Sequence, residues 1–210
     1  MKLRTLLFIT CLGVFQAGCG GADSTTNTST GEGKFITVKM TFANLPESLP
    51  INHKDNQNQL REYYWHAIFD MDGSNTESAG DFRFELGHVK REGDSRTEEK
   101  LSNFEVAFLV YEEPFKLIQH NIATLSIIDN SIVIKVDKSK YSGLNKINKD
   151  INVNFSTFSY DAEHKAKFDY YPALDSYETI GEGKFIDDVD SSDLSAVPHI
   201  DLVEMEITID

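Results

Sequence analysis

Closely spaced oxygen ligands stand out first, in the stretch FDMDGSNTESAGDFRFEL at residues 69–86. Asp70 and Asp72 stand at i and i+2, positions that an extended strand places on one face. Gly73 allows a tight turn. Ser74, Asn75, Glu77 and Asp81 add further oxygens in the loop that follows. Hard oxygen donors gathered around a glycine turn suit Ca²⁺. Asp70, Asp72, Asn75 and Asp81 are the expected ligands. The spacing after the glycine is not that of an EF-hand loop, and no helical pattern flanks it. The same residue types also make an ordinary acidic β-turn without an ion, so the sequence leaves both readings open.

Aromatic residues form a second group: Tyr63, Tyr64 and Trp65, with Tyr170 and Tyr171 far along the chain. Flat aromatic faces in a concave site can stack on sugar rings. Tyr64 and Trp65 are therefore candidate ligand-binding residues. Neighbours in a strand point to opposite faces. Trp65 shares a face with Ala67, Phe69 and Met71, which places it with the core and leaves Tyr64 as the better candidate for exposure.

A third group, DDVDSSD, holds Asp187, Asp188, Asp190 and Asp193. It reads as a second cation site or as an exposed acidic loop. The six histidines, His53, His66, His88, His120, His164 and His199, have no HExxH or HxH spacing, so no zinc site is expected. GxSxG, P-loop and GxGxxG patterns are absent. No catalytic residue stands out, and no enzyme activity is expected.

The elements that must position these groups are strands. Period-two alternation runs through KFITVKMTF, YYWHAIFDMD, DFRFEL, NFEVAFLVY, INVNFSTF and LVEMEITID. ATLSIIDNSIVIKVD reads as two strands joined at Asp129-Asn130. Helical signals are confined to DNQNQLREYY and KYSGLNKINKD, each long enough for a turn or a short helix. Many short strands with polar turns predict an all-β antiparallel sandwich, with the first and last strands pairing into a sheet. GEGKFI occurs at 31–36 and again at 181–186. The offset is far longer than a solenoid or propeller period, so the two copies are a coincidence or two similar ways into a strand.

Strand order and turn composition across about residues 60–175 resemble those of secreted β-sandwiches related to family 9 carbohydrate-binding modules and DOMON-type domains. The segments that carry the resemblance are YYWHAIFDMDGS…GDFRFEL, SIVIKVDKSKYSGL, INVNFSTFSYD and FDYYP, the last with Asp169 and Pro172. The resemblance implies a jelly-roll or immunoglobulin-like sandwich with a sugar-binding face and a structural calcium. DOMON relatives would add haem, but no His or Met can be singled out here as an axial ligand.

The N-terminus carries an address. Lys2 and Arg4 precede an apolar run from Leu6 to Phe15, too short for a bilayer span of ~20 residues. This reads as an export signal over residues 1–18. QAGC, ending at Cys19, resembles the lipobox of bacterial lipoproteins, in which the cysteine thiol is acylated and the chain is cut before it. Gln16 stands where that pattern usually has Leu. An ordinary signal peptidase could instead cut at the small residues through Ala22. Cys11 lies inside the signal, so Cys19 would be the one cysteine of the mature chain, and lipidation would consume it. Residues 19–32, small and rich in Ser and Thr, then form a flexible tether, and residues 33–210 the folded domain. Gly20 rather than Asp after the cysteine implies the outer membrane if the cell is Gram-negative.

Charge completes the reading. Residues 1–18 hold two of the 20 basic residues and none of the 34 acidic ones, so the net charge moves from −14 to −16 without them. Such a surface argues against nucleic-acid partners. The expected function is a lipid-anchored extracytoplasmic binding module in the cell envelope, held to the membrane by its lipid. It would bind polysaccharide and be stiffened by calcium. The alternative is a structural or assembly lipoprotein that contacts another envelope protein through an edge strand or its acidic face.

Overall fold

Alternating apolar residues fold into two antiparallel sheets that close on each other. The computed structural model describes residues 34–51, 61–89, 93–112, 116–120, 122–160, 165–187 and 197–210. The smaller sheet has five strands: β1 (Phe35–Phe42), β8 (Ala123–Ile128), β9 (Ser131–Asp137), β13 (Lys184–Ile186) and β14 (Leu202–Ile209). Their order is β13-β14-β1-β9-β8.

The larger sheet runs β11-β10-β3-β4-β6-β7. Its strands are β3 (Arg61–Asp70), β4 (Phe82–Val89), β6 (Glu105–Glu112), β7 (Lys116–His120), β10 (Asn152–Tyr160) and β11 (Ala166–Tyr171), and β12 (Glu178–Thr179) pairs with β10. A short pair, β2 (Ser48–Pro50) and β5 (Glu98–Lys100), lies apart from both sheets. Helical structure among the described residues is limited to 3₁₀ turns, one of them at Ser142–Lys146 within KYSGLNKINKD. The other expected turn or short helix, DNQNQLREYY, has its residues 55–60 outside the described residues, and its remainder is the start of β3.

The core lies between the sheets. Ile36, Val38, Met40 and Phe42 of β1, with Ile132, Ile134 and Val136 of β9, face Tyr63, Trp65, Ala67 and Phe69 of β3 and Phe82, Phe84 and Leu86 of β4. Phe42 meets Trp65 edge-on at 6.4 Å, and Phe155 meets Phe185 at 5.4 Å. Burying each such side chain contributes roughly 1.5–3 kcal/mol. The expected all-β sandwich is the observed one.

Two details differ from the alternation read in the sequence. In β14 the inward residue at the strand start is Leu202 rather than Val203. The register with β1 skips there: Thr41 faces Glu204, but Phe42 faces Leu202. This bulge turns Val203 out of the pleat. The second difference is on the outer face of the large sheet. His66, Arg83 and Glu85 alternate with core residues and should face water, yet all three are buried.

Candidate functional site

The acidic loop leaves β3 at Asp70 and returns at Asp81, directly before β4. Both carboxylates are buried and organise the backbone between them. Asp70 Oδ1 accepts from the amides of Gly73 and Ser74 at 2.8 and 3.1 Å, and Oδ2 from Asn75 at 2.9 Å. Asp81 accepts from the amides of Met71 and Ser78 at 2.8 and 2.7 Å. Gly73, at φ 74°, takes the left-handed step this turn needs. Asp72 is exposed and accepts from Ser74 N and from Ser78 Oγ; the Ser74 hydroxyl first, then these two bonds, hold its carboxyl down to about 2. Burial pushes the Asp81 carboxyl up, the two amides pull it down, and the charges of Asp70 and Asp72 push it up again.

One oxygen from each of Asp70, Asp72 and Asp81 lies within 4.8 Å of the others. Three of the four expected ligands are thus brought together. The fourth, Asn75, accepts at Oδ1 from Asn152 Nδ2 of β10 at 3.1 Å, which ties the loop to that strand. Asp187 of the third acidic group stands just past β13, its amide bonded to Val203 O. Asp188, Asp190 and Asp193 lie outside the described residues, as does Cys19 with the rest of the N-terminal 33 residues.

The aromatic candidates separate as strand geometry requires. Trp65 is 0% exposed, stacks on Tyr63 at 6.2 Å and donates from Nε1 to His199 O at 2.9 Å. As a ligand-binding residue it is therefore corrected: it belongs to the core. Tyr171 likewise packs against the core, on Phe185. Tyr64 is half-buried on the opposite face, beside Phe158 and His66.

That face carries a groove of about 520 Å³. Three cross-strand rows make up this face; the groove is lined from the second and third and, in the first, by Tyr64 alone. The first joins Gly87, Tyr64, Phe158 and Phe168 across β4, β3, β10 and β11. Tyr64 stacks on Phe158 at 5.2 Å, Phe158 touches Phe168 at 5.0 Å, and Phe168 is 45% exposed. The second row joins Glu85, His66, Ser156 and Tyr170, and the third Arg83, Ile68 and Asn154. The acidic loop supplies one wall through Glu77, and Leu174, Asp175 and Tyr177 supply another. These two segments explain why the polar outer residues are buried.

The polar rows are internally bonded. His66 Nε2 lies 2.9 Å from Glu85 Oε2, and its Nδ1 lies 3.4 Å from Ser156 Oγ. Asn154 Nδ2 donates to the carbonyls of Ala173 and Ser176 at 3.1 and 2.7 Å. Arg83 Nη2 donates to Glu77 and to the Tyr111 hydroxyl, and Nη1 lies 3.9 Å from Glu85. Ser156, His66 and Glu85 have the order of a nucleophile, a base and its orienting acid. Asn154 adds no donor for a developing oxyanion, because both its amide hydrogens are engaged.

Burial and the Asp175 charge raise Tyr170. Burial and the charges of Glu77, Asp81 and Asp70 raise Tyr177, against a smaller opposing effect of Arg83. Both phenols therefore stay protonated and lie in a negative field. His66, Arg83, Glu85, Asn154, Ser156 and Tyr177 carry no linear motif and escape a reading of spacing. Their signal is register: His66 meets Glu85, 19 positions on, and Ser156, 90 positions on, only when the strands pair.

No family model, curated protein or solved structure matches this chain.

Proposed function

We propose that this protein is a lipid-anchored extracytoplasmic binding module whose outer groove takes a glycan. The observation that carries the reading is the groove lining, where Tyr64, Tyr170 and Tyr177 stand among the positioned polar side chains of His66, Asn154 and Ser156. Aromatic faces for stacking, with a few oriented polar atoms, are what a sugar ring needs. The volume falls in the usual range for a ligand site, ~300–1,000 Å³. A structural Ca²⁺ among Asp70, Asp72 and Asp81 would stiffen the loop that carries Glu77, and so the groove wall. Hard carboxylate donors fit that ion.

The test is retention of the purified protein on a panel of insoluble and gel-embedded polysaccharides, with calcium present. Binding to one polymer, lost in Tyr64→Ala and Tyr170→Ala, is the expected result. Trp65→Ala serves as a contrast and should lower stability by roughly 3–5 kcal/mol, as loss of a large core aromatic does. Retention on none of the polymers would refute the glycan reading.

One observation favours the alternative, assembly with an envelope protein. Ile186 is 67% exposed on β13, the edge strand of the smaller sheet, and such an edge can accept a partner's strand.

A further inference from the structure

We infer that the groove is an active site that hydrolyses short carboxylic esters on sugar hydroxyls, with Ser156 as nucleophile and His66 as its base. The sugar as the alcohol rests on the glycan reading; the row of groups that cleaves the ester does not. Ser156, His66 and Glu85 stand side by side across β10, β3 and β4. Ser156 Oγ lies 3.4 Å from His66 Nδ1, and His66 Nε2 lies 2.9 Å from Glu85 Oε2. Each of the three is 5% exposed, yet Ser156 and His66 line the groove. An imidazole beside a hydroxyl, with a carboxylate on its other nitrogen, is the arrangement that activates a serine. The expectation of no enzyme activity came from the lack of linear motifs, and this row has none to show.

The groove supplies the remaining parts. Ser156 Oγ attacks the ester carbonyl carbon, and its proton passes to Nδ1. The oxyanion that forms needs donors. Both amide hydrogens of Asn154 are engaged by Ala173 and Ser176. Tyr170, the neighbour of Ser156 across β10 and β11, and Tyr177 bring phenol hydroxyls to the same lining. The bond from the carbonyl carbon to the sugar oxygen then breaks, and the proton on Nδ1 goes to that oxygen. Water attacks the acyl group left on Ser156 and gives a proton to Nδ1. That proton returns to Ser156 Oγ as the carboxylic acid leaves, so ester and water become acid and alcohol. Glu85 is a positioning residue: a carboxylate only accepts, so it holds a ring hydrogen on Nε2 and keeps Nδ1 for the transfer. Among the lining residues Ile68 and Leu174 are apolar, while Glu77 and Asp175 repel anions, which suits a short uncharged acyl group such as acetyl.

The first measurement uses the parent chain alone. A fluorophosphonate, which loses fluoride to an activated serine, should add to the purified protein, and peptide mapping should place the adduct on Ser156. The second follows acetate release from an O-acetylated oligosaccharide, with p-nitrophenyl acetate as a sugar-free ester. Both reactions should fall to the uncatalysed rate in Ser156→Ala. The parent's kcat/KM, corrected for that rate, should rise between about pH 5 and about pH 8, as an imidazole base requires. Tyr170→Phe keeps the ring and removes the hydroxyl, so kcat should fall by about 100-fold with KM little changed. Glu85→Gln should likewise lower kcat and spare KM.

No adduct on Ser156, with no acetate release above that of Ser156→Ala, would overturn the active site; the glycan reading would still be judged by retention on polysaccharide. Turnover of p-nitrophenyl acetate that depends on Ser156, with none of the acetylated sugar, would overturn the sugar as the alcohol. A rate that is flat over the same pH range and unchanged in Glu85→Gln would overturn the roles of His66 and Glu85.

Discussion

At the scale of single residues, position in the pleat decides the role. Tyr64 and Trp65 are neighbours with similar chemistry, yet one lines the groove and the other is sealed in the core. Period two made that division legible in the sequence. It could not show that His66, on the same face as Tyr64, meets Glu85 and Ser156, because pairing partners are chosen by the fold. His199 was equally silent. It packs on Tyr63 and lies 2.7 Å from Ser159 Oγ, and burial holds its imidazole down to about 4. An unfolded histidine titrates near ~6.5. The stability it contributes is therefore complete above that value and drains away as pH falls towards 4, by about 3 kcal/mol at most. Asp169 has the opposite slope. Burial, first of all, raises it to about 6, so its contribution is present at low pH and is lost as pH rises through about 6. His199→Gln should remove the first effect and keep the second. Between pH 6.5 and 4.5 the Tm of the parent chain should then fall by more than that of the variant. Equal falls would mean that the imidazole is not protonated on unfolding.

At the scale of elements, turns and strands were the legible part. Asp129-Asn130 does join β8 to β9, with Asp129 at φ 50° and Ile128 facing Ser131. Both GEGKFI copies lead into strands, β1 and β13, and the two strands flank β14 from opposite sides. The copies do not share a register, however: Ile36 faces Ile209 of β14, whereas its counterpart Ile186 faces Glu204. The bulge at Val203 was hidden, since it depends on the register of β1 against β14. The acidic loop was read as either an ion site or a bonded turn. Its carboxylates accept from Met71, Gly73, Ser74, Asn75 and Ser78 and so make the turn, while their clustering leaves the ion as a testable addition. Removing calcium with EDTA and restoring it at ~100-fold above its Kd should raise Tm by roughly 5–10 °C. Asp81→Asn should abolish the response. An unchanged Tm in the parent chain would dismiss the metal.

At the scale of the whole molecule, a two-sheet sandwich with a continuous core was expected from alternation and is observed. Burial of the outer face was not expected, because the loops that cover it look like ordinary polar connections. The proposed anchor is tested at this scale too. Cys19→Ala should release the protein from the membrane fraction into the soluble one, and continued membrane retention would refute lipidation. Pairing of the first strand with the last has a consequence for the order of events. The smaller sheet has β14 between β1 and β13, so residues 202–209 must be available before its order can be completed. Partners separated by nearly the whole domain make loop closure slow. A chain threaded through a membrane pore from its N-terminus would therefore stay pliable during passage. It would lock into shape only when its tail arrives on the far side.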